Sequence, residues 1–346
     1  MKQLFPILSL FLILYLSVSG QRVVQAKASP QQRPTKLFVF GDSYADTGNI
    51  QRAFSNSWKD PYGATFPGKP AGRFSDGRVL TDYIAKYLKV KSPIPYRLRK
   101  VMPKQVKYGM NFAFGGTGVF NTLAPLPNMT TQIDFLQHLI QHKVYTALDL
   151  TNSVALVSVA GNDYVRFMQT NASQGLASFV ATVINQTRTN LIRIKGLGVK
   201  KIVVGALQPL GCLPQMTAPT SFQRCNDTTN AMVLLHNALL NQAVTRLNQQ
   251  TKDRSSFLIL NLFDSFMSVF NHPSTHNIRS KFTPCCVGVS SNYSCGSVDM
   301  NNVKKYRVCD DPKSAFFWDL VHPTQAGWHA VYNKLRTMNA LQHILY

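Results

Sequence analysis

The chain has 346 residues, with 37 Lys and Arg against 15 Asp and Glu, giving a formal net charge of +22 and a pI near 9.9. A balance this basic raises the question of a nucleic-acid partner. The basic residues are scattered, however, and their main cluster, Arg97, Arg99, Lys100 and Lys104, reads as an exposed loop and not as a recognition helix, so no nucleic-acid partner is expected.

The amino terminus supplies an address. Lys2 precedes an apolar stretch from Leu4 to Leu16, which gives way to small residues at Val18-Ser19-Gly20. A charged start, a short apolar middle and a small-residue exit make a secretory signal peptide, residues 1–20, with cleavage as late as Ala26 also compatible. The run falls short of the ~20 residues a membrane span requires, and no other segment is apolar enough to span. The carboxyl terminus carries neither an ER-retention signal nor the long apolar tail of a GPI signal. The chain is therefore read as secreted, in an extracellular or cell-wall setting. There a polycation would be retained by an acidic polysaccharide through salt-sensitive attraction.

Secretion changes the meaning of the six cysteines, Cys212, Cys225, Cys285, Cys286, Cys295 and Cys309. An even number in an oxidising compartment favours disulfides, with Cys212 and Cys225 bridging locally and the last four forming two bridges of open connectivity. No Cys-x-x-Cys pair supports zinc, and no metal or cofactor is expected. Sequons begin at Asn128, Asn171, Asn185, Asn226 and Asn292 and make these the candidate glycosylation sites.

About 320 residues follow the leader, and no linker, low-complexity block or repeat divides them, so residues 36–346 are read as one domain. Short apolar runs bounded by Gly, Asn or Asp predict buried strands over Lys36 to Phe40, Tyr108 to Ala113, Val154 to Ala160, Lys201 to Ala206 and Phe257 to Asn261. Apolar stripes at helical spacing run through Val79, Leu80, Tyr83, Ile84, Tyr87 and Leu88, and through Leu176, Phe179, Val180, Val183 and Ile184. Further helices are predicted around 131–142, 228–250 and 324–342. The alternation indicates an α/β fold with a mainly parallel sheet covered on both faces.

Ligands of such sheets bind beyond the carboxyl ends of the strands. There the sequence places Gly41-Asp42-Ser43, then Phe114-Gly115-Gly116-Thr117-Gly118, then Gly161-Asn162-Asp163. Three strands thus deliver a hydroxyl, a Gly-rich backbone and a side-chain amide to one edge. Separately, each has a plainer reading as a turn, a packing loop or a helix cap. The Gly-rich run is neither a P-loop nor a dinucleotide fingerprint. Near the far end of the chain, Asp319 precedes His322-Pro323, and the proline keeps the histidine out of helical geometry on a rigid turn. A serine needs a base, and the base needs an orienter, so Ser43, His322 and Asp319 suggest a serine hydrolase. The other histidines, His138, His142, His236, His272, His276, His329 and His343, lack such a context and are expected at the surface.

These segments carry a resemblance that covers essentially all of the mature chain. Phe40-Gly41-Asp42-Ser43 with Asp46 and Gly48-Asn49, Pro70-Ala71-Gly72-Arg73-Phe74-Ser75-Asp76-Gly77, Gly109 to Gly116, Gly161-Asn162-Asp163, Pro209 to Pro214 and Phe317 to Thr324 occur in an order that resembles the plant GDSL esterase/lipase family of the SGNH hydrolase superfamily. The resemblance implies a flavodoxin-like three-layer α/β/α fold and hydrolysis of carboxylic esters. It further implies Ser43 as nucleophile, Asp319 and His322 as its triad partners, and an oxyanion hole of the Ser43 and Gly116 backbone N–H groups with the Asn162 side chain. Tyr44 departs from the Leu of the family's name-giving motif and bears on the shape of the acyl pocket. A Ser, Asp, His order also occurs in α/β-hydrolases, but the Gly-x-Ser-x-Gly elbow is missing here.

The same acyl-enzyme would serve an acyltransferase, and the same fold would serve an inactive wall-binding protein. The substrate is left as a small ester or lipid, or an acylated wall polymer. Residues 52–76, 119–128 and 213–224 are the candidate cleft segments.

Overall fold

The strand Lys36–Gly41 (β1) has every residue after Lys36 buried, because neighbours cover it on both edges and both faces. In this computed structural model residues 33–122, 125–170, 175–251, 253–338 and 341–345 are described. The proposed leader and the sequon at Asn171 lie outside the described residues.

After β1 come the helix Leu80–Leu88 (α1), the two-residue strand Ile94–Pro95 (β2) and the strand Gly109–Asn111 (β3). Helices Met129–Gln141 (α2) and Ala147–Thr151 (α3) lead to the strand Ser153–Ser158 (β4), and Gly161–Gln169 (α4) and Leu176–Gly196 (α5) lead to Lys201–Gly205 (β5). Pro214–Thr217 (α6) and Asp227–Gln250 (α7) precede the strand Phe257–Leu260 (β6), followed by Leu262–Asn271 (α8). Strands Cys286–Gly288 (β7) and Tyr306–Val308 (β8) pair apart from the main sheet, and helices Gln325–Thr337 (α9) and Gln342–Leu345 (α10) end the described chain.

The main sheet is parallel throughout in the order β2-β3-β1-β4-β5-β6. Setting aside the short β2, this is the flavodoxin-like order, with the direction of strand addition reversing at β1 between β3 and β4. Helix α2 packs on α5 and α5 on α7, while α9 packs between α1 and α8. The sheet between these groups completes a three-layer α/β/α fold.

The five predicted strands are all present; Lys201–Gly205 and Phe257–Leu260 each stop one residue early, and two others are cut back further for identifiable reasons. The run from Tyr108 to Ala113 keeps only three strand residues, since Pro103–Tyr108 coils into 3-10 turns and Asn49 Nδ2 takes the carbonyls of Asn111 (2.9 Å) and Ala113 (2.8 Å). The run from Val154 to Ala160 stops at Ser158, and Ala160 takes a left-handed φ of 89° that turns the chain into α4.

Helix starts follow capping chemistry. Asn128, Asn226 and Thr324 accept from the N–H groups of Thr131, Thr229 and Gly327, and the Asp82 carboxylate accepts from the Val79 N–H at the start of α1. The last predicted helix ends at Thr337 and not at 342, with Lys334 and Arg336 in its final turn.

His236 corrects a surface assignment. It is buried on α7 between Met232 and Leu240, one turn away on either side, with Nδ1 2.6 Å from the Tyr164 hydroxyl. Burial pushes its imidazole down to about 3, so the ring is a neutral core group.

All six cysteines are bridged: Cys212–Cys225, Cys285–Cys309 and Cys286–Cys295. Cys285–Cys309 joins the outer flanks of β7 and β8, and Cys286–Cys295 ties β7 to the connection between them. These two bridges form a separate buried cluster with Tyr62, Ala315 and Trp318. Of the sequons, Asn185, Asn226 and Asn292 are exposed, while Asn128 is half-buried and donates to Asn121 Oδ1 at 2.8 Å.

Candidate active site

Ser43 lies in the first turn beyond β1, at the point where strand order reverses. The turn is set by the Asp42 carbonyl, which accepts from the N–H groups of Ala45 (3.1 Å) and Asp46 (2.9 Å). Gly41 has a φ of +148°, and a Cβ there would stand 2.1 Å from the Ser158 carbonyl oxygen, so only glycine lets β1 lie this close to the end of β4. Gln132, buried on α2, grips the same glycine by both backbone groups: Oε1 accepts from its N–H (2.7 Å) and Nε2 donates to its carbonyl (2.9 Å).

The second loop is tied to the first by buried polar groups. Asp46 accepts from the N–H groups of Gly48 and Asn49, both at 2.7 Å, and from Gly115 N–H at 3.0 Å. Gly116 follows directly, at φ +77° with open space where a side chain would stand. Asp163 ties in the third loop, taking the N–H groups of Val119 (2.9 Å) and Phe120 (3.0 Å). Asn162, in the first turn of α4, donates one of its amide protons to the Thr117 carbonyl at 2.8 Å. The two loops that bear Gly116 and Asn162 are thereby held against each other.

The last member arrives from the far end of the chain. Asp319 Oδ1 accepts from the N–H groups of Val321 (2.9 Å) and His322 (2.8 Å), so the carboxylate caps its own turn. Trp318 N–H donates to the His322 carbonyl at 2.6 Å and closes it. The segment Arg73–Gly77 buttresses the next residues, with Ser75 Oγ donating to the Pro323 carbonyl (3.0 Å) and Asp76 accepting from Gln325 N–H (2.7 Å).

The result is a continuous hydrogen-bonded line. Ser43 Oγ lies 2.8 Å from His322 Nε2, and His322 Nδ1 lies 2.9 Å from both carboxylate oxygens of Asp319. Burial alone would raise the Asp319 carboxyl, but the adjacent His322 and the Tyr62 and Val321 donors outweigh it and hold it below its ordinary value. Asp42 has the opposite fate. Burial pushes it up to about 7, against the smaller pull of its bond from Tyr44 N–H and of nearby His322.

A cavity of about 100 Å³ opens beside the hydroxyl, lined by Ser43, Tyr44, Asn162, Gln208, Leu213 and Val321 among others. Ser43, Asp319 and His322 are thus brought together and Asn162 faces the same space. Gly116 stands on the adjoining loop without lining the cavity. Leu213 and Gln215 come from the predicted cleft segment 213–224, whereas no described residue of 119–128 lines this cavity. Larger hollows lie elsewhere, one of about 670 Å³ between Arg99, Lys107 and His142, but none touches the serine. Among the described residues no group of three or more His, Cys, Asp or Glu could hold a metal ion.

Sequence reasoning passed over Tyr62, Gln132 and Gln208, and quoted Phe74 within the segment Pro70 to Gly77 without a role at the site. Tyr62 and Phe74 fall in the cleft segment 52–76, and the Phe74 ring lies 5.0 Å from that of His322. Gln132 and Gln208 carried no motif signal.

Residues 37–335 match the sequence profile of the GDSL-like lipase/acylhydrolase family. The chain belongs to this family of carboxylic ester hydrolases. Two of its Arabidopsis thaliana members, both named GDSL esterase/lipase, are 60% and 53% identical over 311 residues, covering 88% of this chain and 86% and 88% of their own length. Among solved structures, a catalytic mutant of an acetylxylan esterase from Geobacillus stearothermophilus aligns with 90% of this chain and 94% of its own, at 14% identity and a TM-score of 0.41. No helix among the described residues of this GDSL-family chain is long and apolar enough to cross a membrane.

Proposed function

We propose that the protein hydrolyses carboxylic esters through an acyl-enzyme on Ser43. The observation that carries this reading is the unbroken line from Ser43 Oγ through His322 to Asp319. A serine hydroxyl is a weak nucleophile, so His322 Nε2 takes its proton as Oγ attacks the ester carbonyl. Asp319 fixes the Nδ1–H tautomer and stabilises the imidazolium. The oxyanion is received by the Ser43 and Gly116 N–H groups and the Asn162 amide. His322 then returns the proton to the departing alkoxide, and water, activated by the same imidazole, releases the acid.

The substrate is a small ester or lipid, or an acyl group on a wall polymer. Residues 36–346 act as one catalytic domain, residues 1–20 direct it to secretion, and the net charge of +22 favours retention on acidic polysaccharide.

A panel of esters from acetyl to dodecanoyl, assayed with the wild type, Ser43→Ala and His322→Ala, tests the reading. Turnover by the wild type and its loss in both variants are expected. A Ser43→Ala protein as active as the wild type contradicts it.

A further inference from the structure

Tyr62 stands outside the cavity at Ser43 and yet touches the catalytic line. Its hydroxyl donates to Asp319 Oδ2 at 2.7 Å across 257 residues of sequence, with both residues buried. The two carboxylate oxygens are held differently. Oδ1 receives two backbone N–H groups of its own turn, whereas Oδ2 shares His322 Nδ1 with Oδ1 and takes its other bond from Tyr62.

The tyrosine is held by contacts independent of Asp319. Its ring meets Trp318 edge-on, with centroids 6.0 Å apart, inside the cluster built around Cys285, Cys286 and Cys295. That cluster also grips the segment leading to Asp319, since the N–H groups of Cys285 and Cys286 donate to the carbonyls of Phe317 (3.0 Å) and Trp318 (2.6 Å). Burial first, and then the neighbouring Asp319 charge, push the phenol well above its ordinary value. The hydroxyl therefore keeps its proton and always donates.

We propose that Tyr62 is a positioning residue for the triad, holding Asp319 Oδ2 in place and taking up part of the carboxylate charge that would otherwise act on His322. This rests on the reading of Ser43, His322 and Asp319 given above. Two consequences follow from the chemistry. Without the hydroxyl, the carboxylate loses orientation and turnover falls. Its charge is also less shared, so the imidazolium that forms beside it is better stabilised and the acid limb of the rate moves to higher pH.

Tyr62→Phe keeps the ring and removes the hydroxyl. We expect kcat to fall about tenfold while KM stays within about twofold, since the residue does not line the cavity, and the acid limb of kcat/KM to move up by about 0.5 pH units. A purely structural role would lower yield or Tm and leave the limb where it is. An unmoved limb, or one moved to lower pH, overturns the proposal. Fluorotyrosine placed at position 62 covers the case in which Tyr62→Phe fails to fold. It keeps the ring and strengthens the donor, so the limb must then move to lower pH, and an unmoved limb again overturns the proposal.

Fluorophosphonate treatment of the wild type separates the two levels. No covalent label on Ser43 removes the triad reading and this inference with it. A labelled Ser43 with an unmoved acid limb removes the role of Tyr62 alone.

Discussion

The hydroxyl of Tyr44, the residue after Ser43, donates to the carbonyl of Val321, the residue before His322, at 2.8 Å. One contact thus joins the segments that carry Ser43 and His322, and the same ring forms part of the cavity wall. The ring is also seated edge-on against Trp328, with centroids 5.2 Å apart.

Tyr44 accordingly has two separable effects. Tyr44→Phe removes the bond to Val321 and keeps the wall, so kcat should fall about 3- to 10-fold with the order of acyl preference unchanged. Tyr44→Leu also removes part of the wall, and the ratio of octanoyl to acetyl turnover should rise. Unchanged chain-length preference in the leucine variant would show that Tyr44 does not bound the acyl group.

Asn162→Ala should fold and bind substrate while losing about 100- to 1,000-fold in kcat, the usual cost of one oxyanion donor. The amide also braces Thr117, so Asn162→Asp makes a useful companion: it keeps the size, replaces the donor by a carboxylate and should be no more active than the alanine variant. Steady-state kinetics on a soluble ester decide the matter. Wild-type turnover in Asn162→Ala would remove this residue from the site.

Asp42 makes stability depend on pH. Its folded value, about 7, lies above the ordinary 3.8, so the folded state binds the proton more tightly than the unfolded chain does. That contribution is fully present below about pH 4 and is lost as pH rises through about 7. Thermal unfolding should accordingly give a Tm a few degrees higher at pH 5 than at pH 8, and Asp42→Asn should reduce the difference. A Tm that climbs from pH 5 to pH 8 in the wild type, with Asp42→Asn unchanged from it, would contradict this.

The buried pair Arg73–Asp82 is a stability prediction. The guanidinium donates through Nε to Oδ2 (2.9 Å) and through Nη2 to Oδ1 (2.8 Å), and Ser92 and Val79 complete the carboxylate's bonds. Arg73→Met leaves that charge buried without its counter-ion and should cost about 3–5 kcal/mol in urea unfolding. Asp82→Asn in the same background should recover part of it, because the orphaned charge is then gone. A loss under about 1 kcal/mol for the single variant would mean that the pair is solvated or replaced.

Much of this was legible in the sequence because buried parallel strands announce themselves. The run Leu37-Phe38-Val39-Phe40 ending in Gly41 needs no partner to be recognised, and the loops just beyond such runs carry Ser43, Gly116 and Asn162, the residues proposed for the site. Elements too short to show a period were lost, such as Ile94–Pro95 and the hairpin of Cys286–Gly288 with Tyr306–Val308. Helix α4 was not predicted as an element, although Asn162 had a reading as a helix cap; it stands inside the first turn, with Ala160 at the cap position.

Long-range polar contacts were the least readable. Nothing in the local pattern links Tyr62 to Asp319 or Gln132 to Gly41, because such bonds depend on the completed packing. His236 was misplaced although its signal was present: the spacing of Met232, His236 and Leu240 puts it on the core stripe of α7.

The central claim is that Ser43 is the nucleophile activated by His322. Incubation with an active-site-directed fluorophosphonate, followed by intact mass and peptide mapping, tests it most directly. One phosphonyl group on Ser43, absent in Ser43→Ala and strongly slowed in His322→Ala, is the predicted result. A folded wild-type protein that hydrolyses esters while Ser43 stays unmodified would contradict the account.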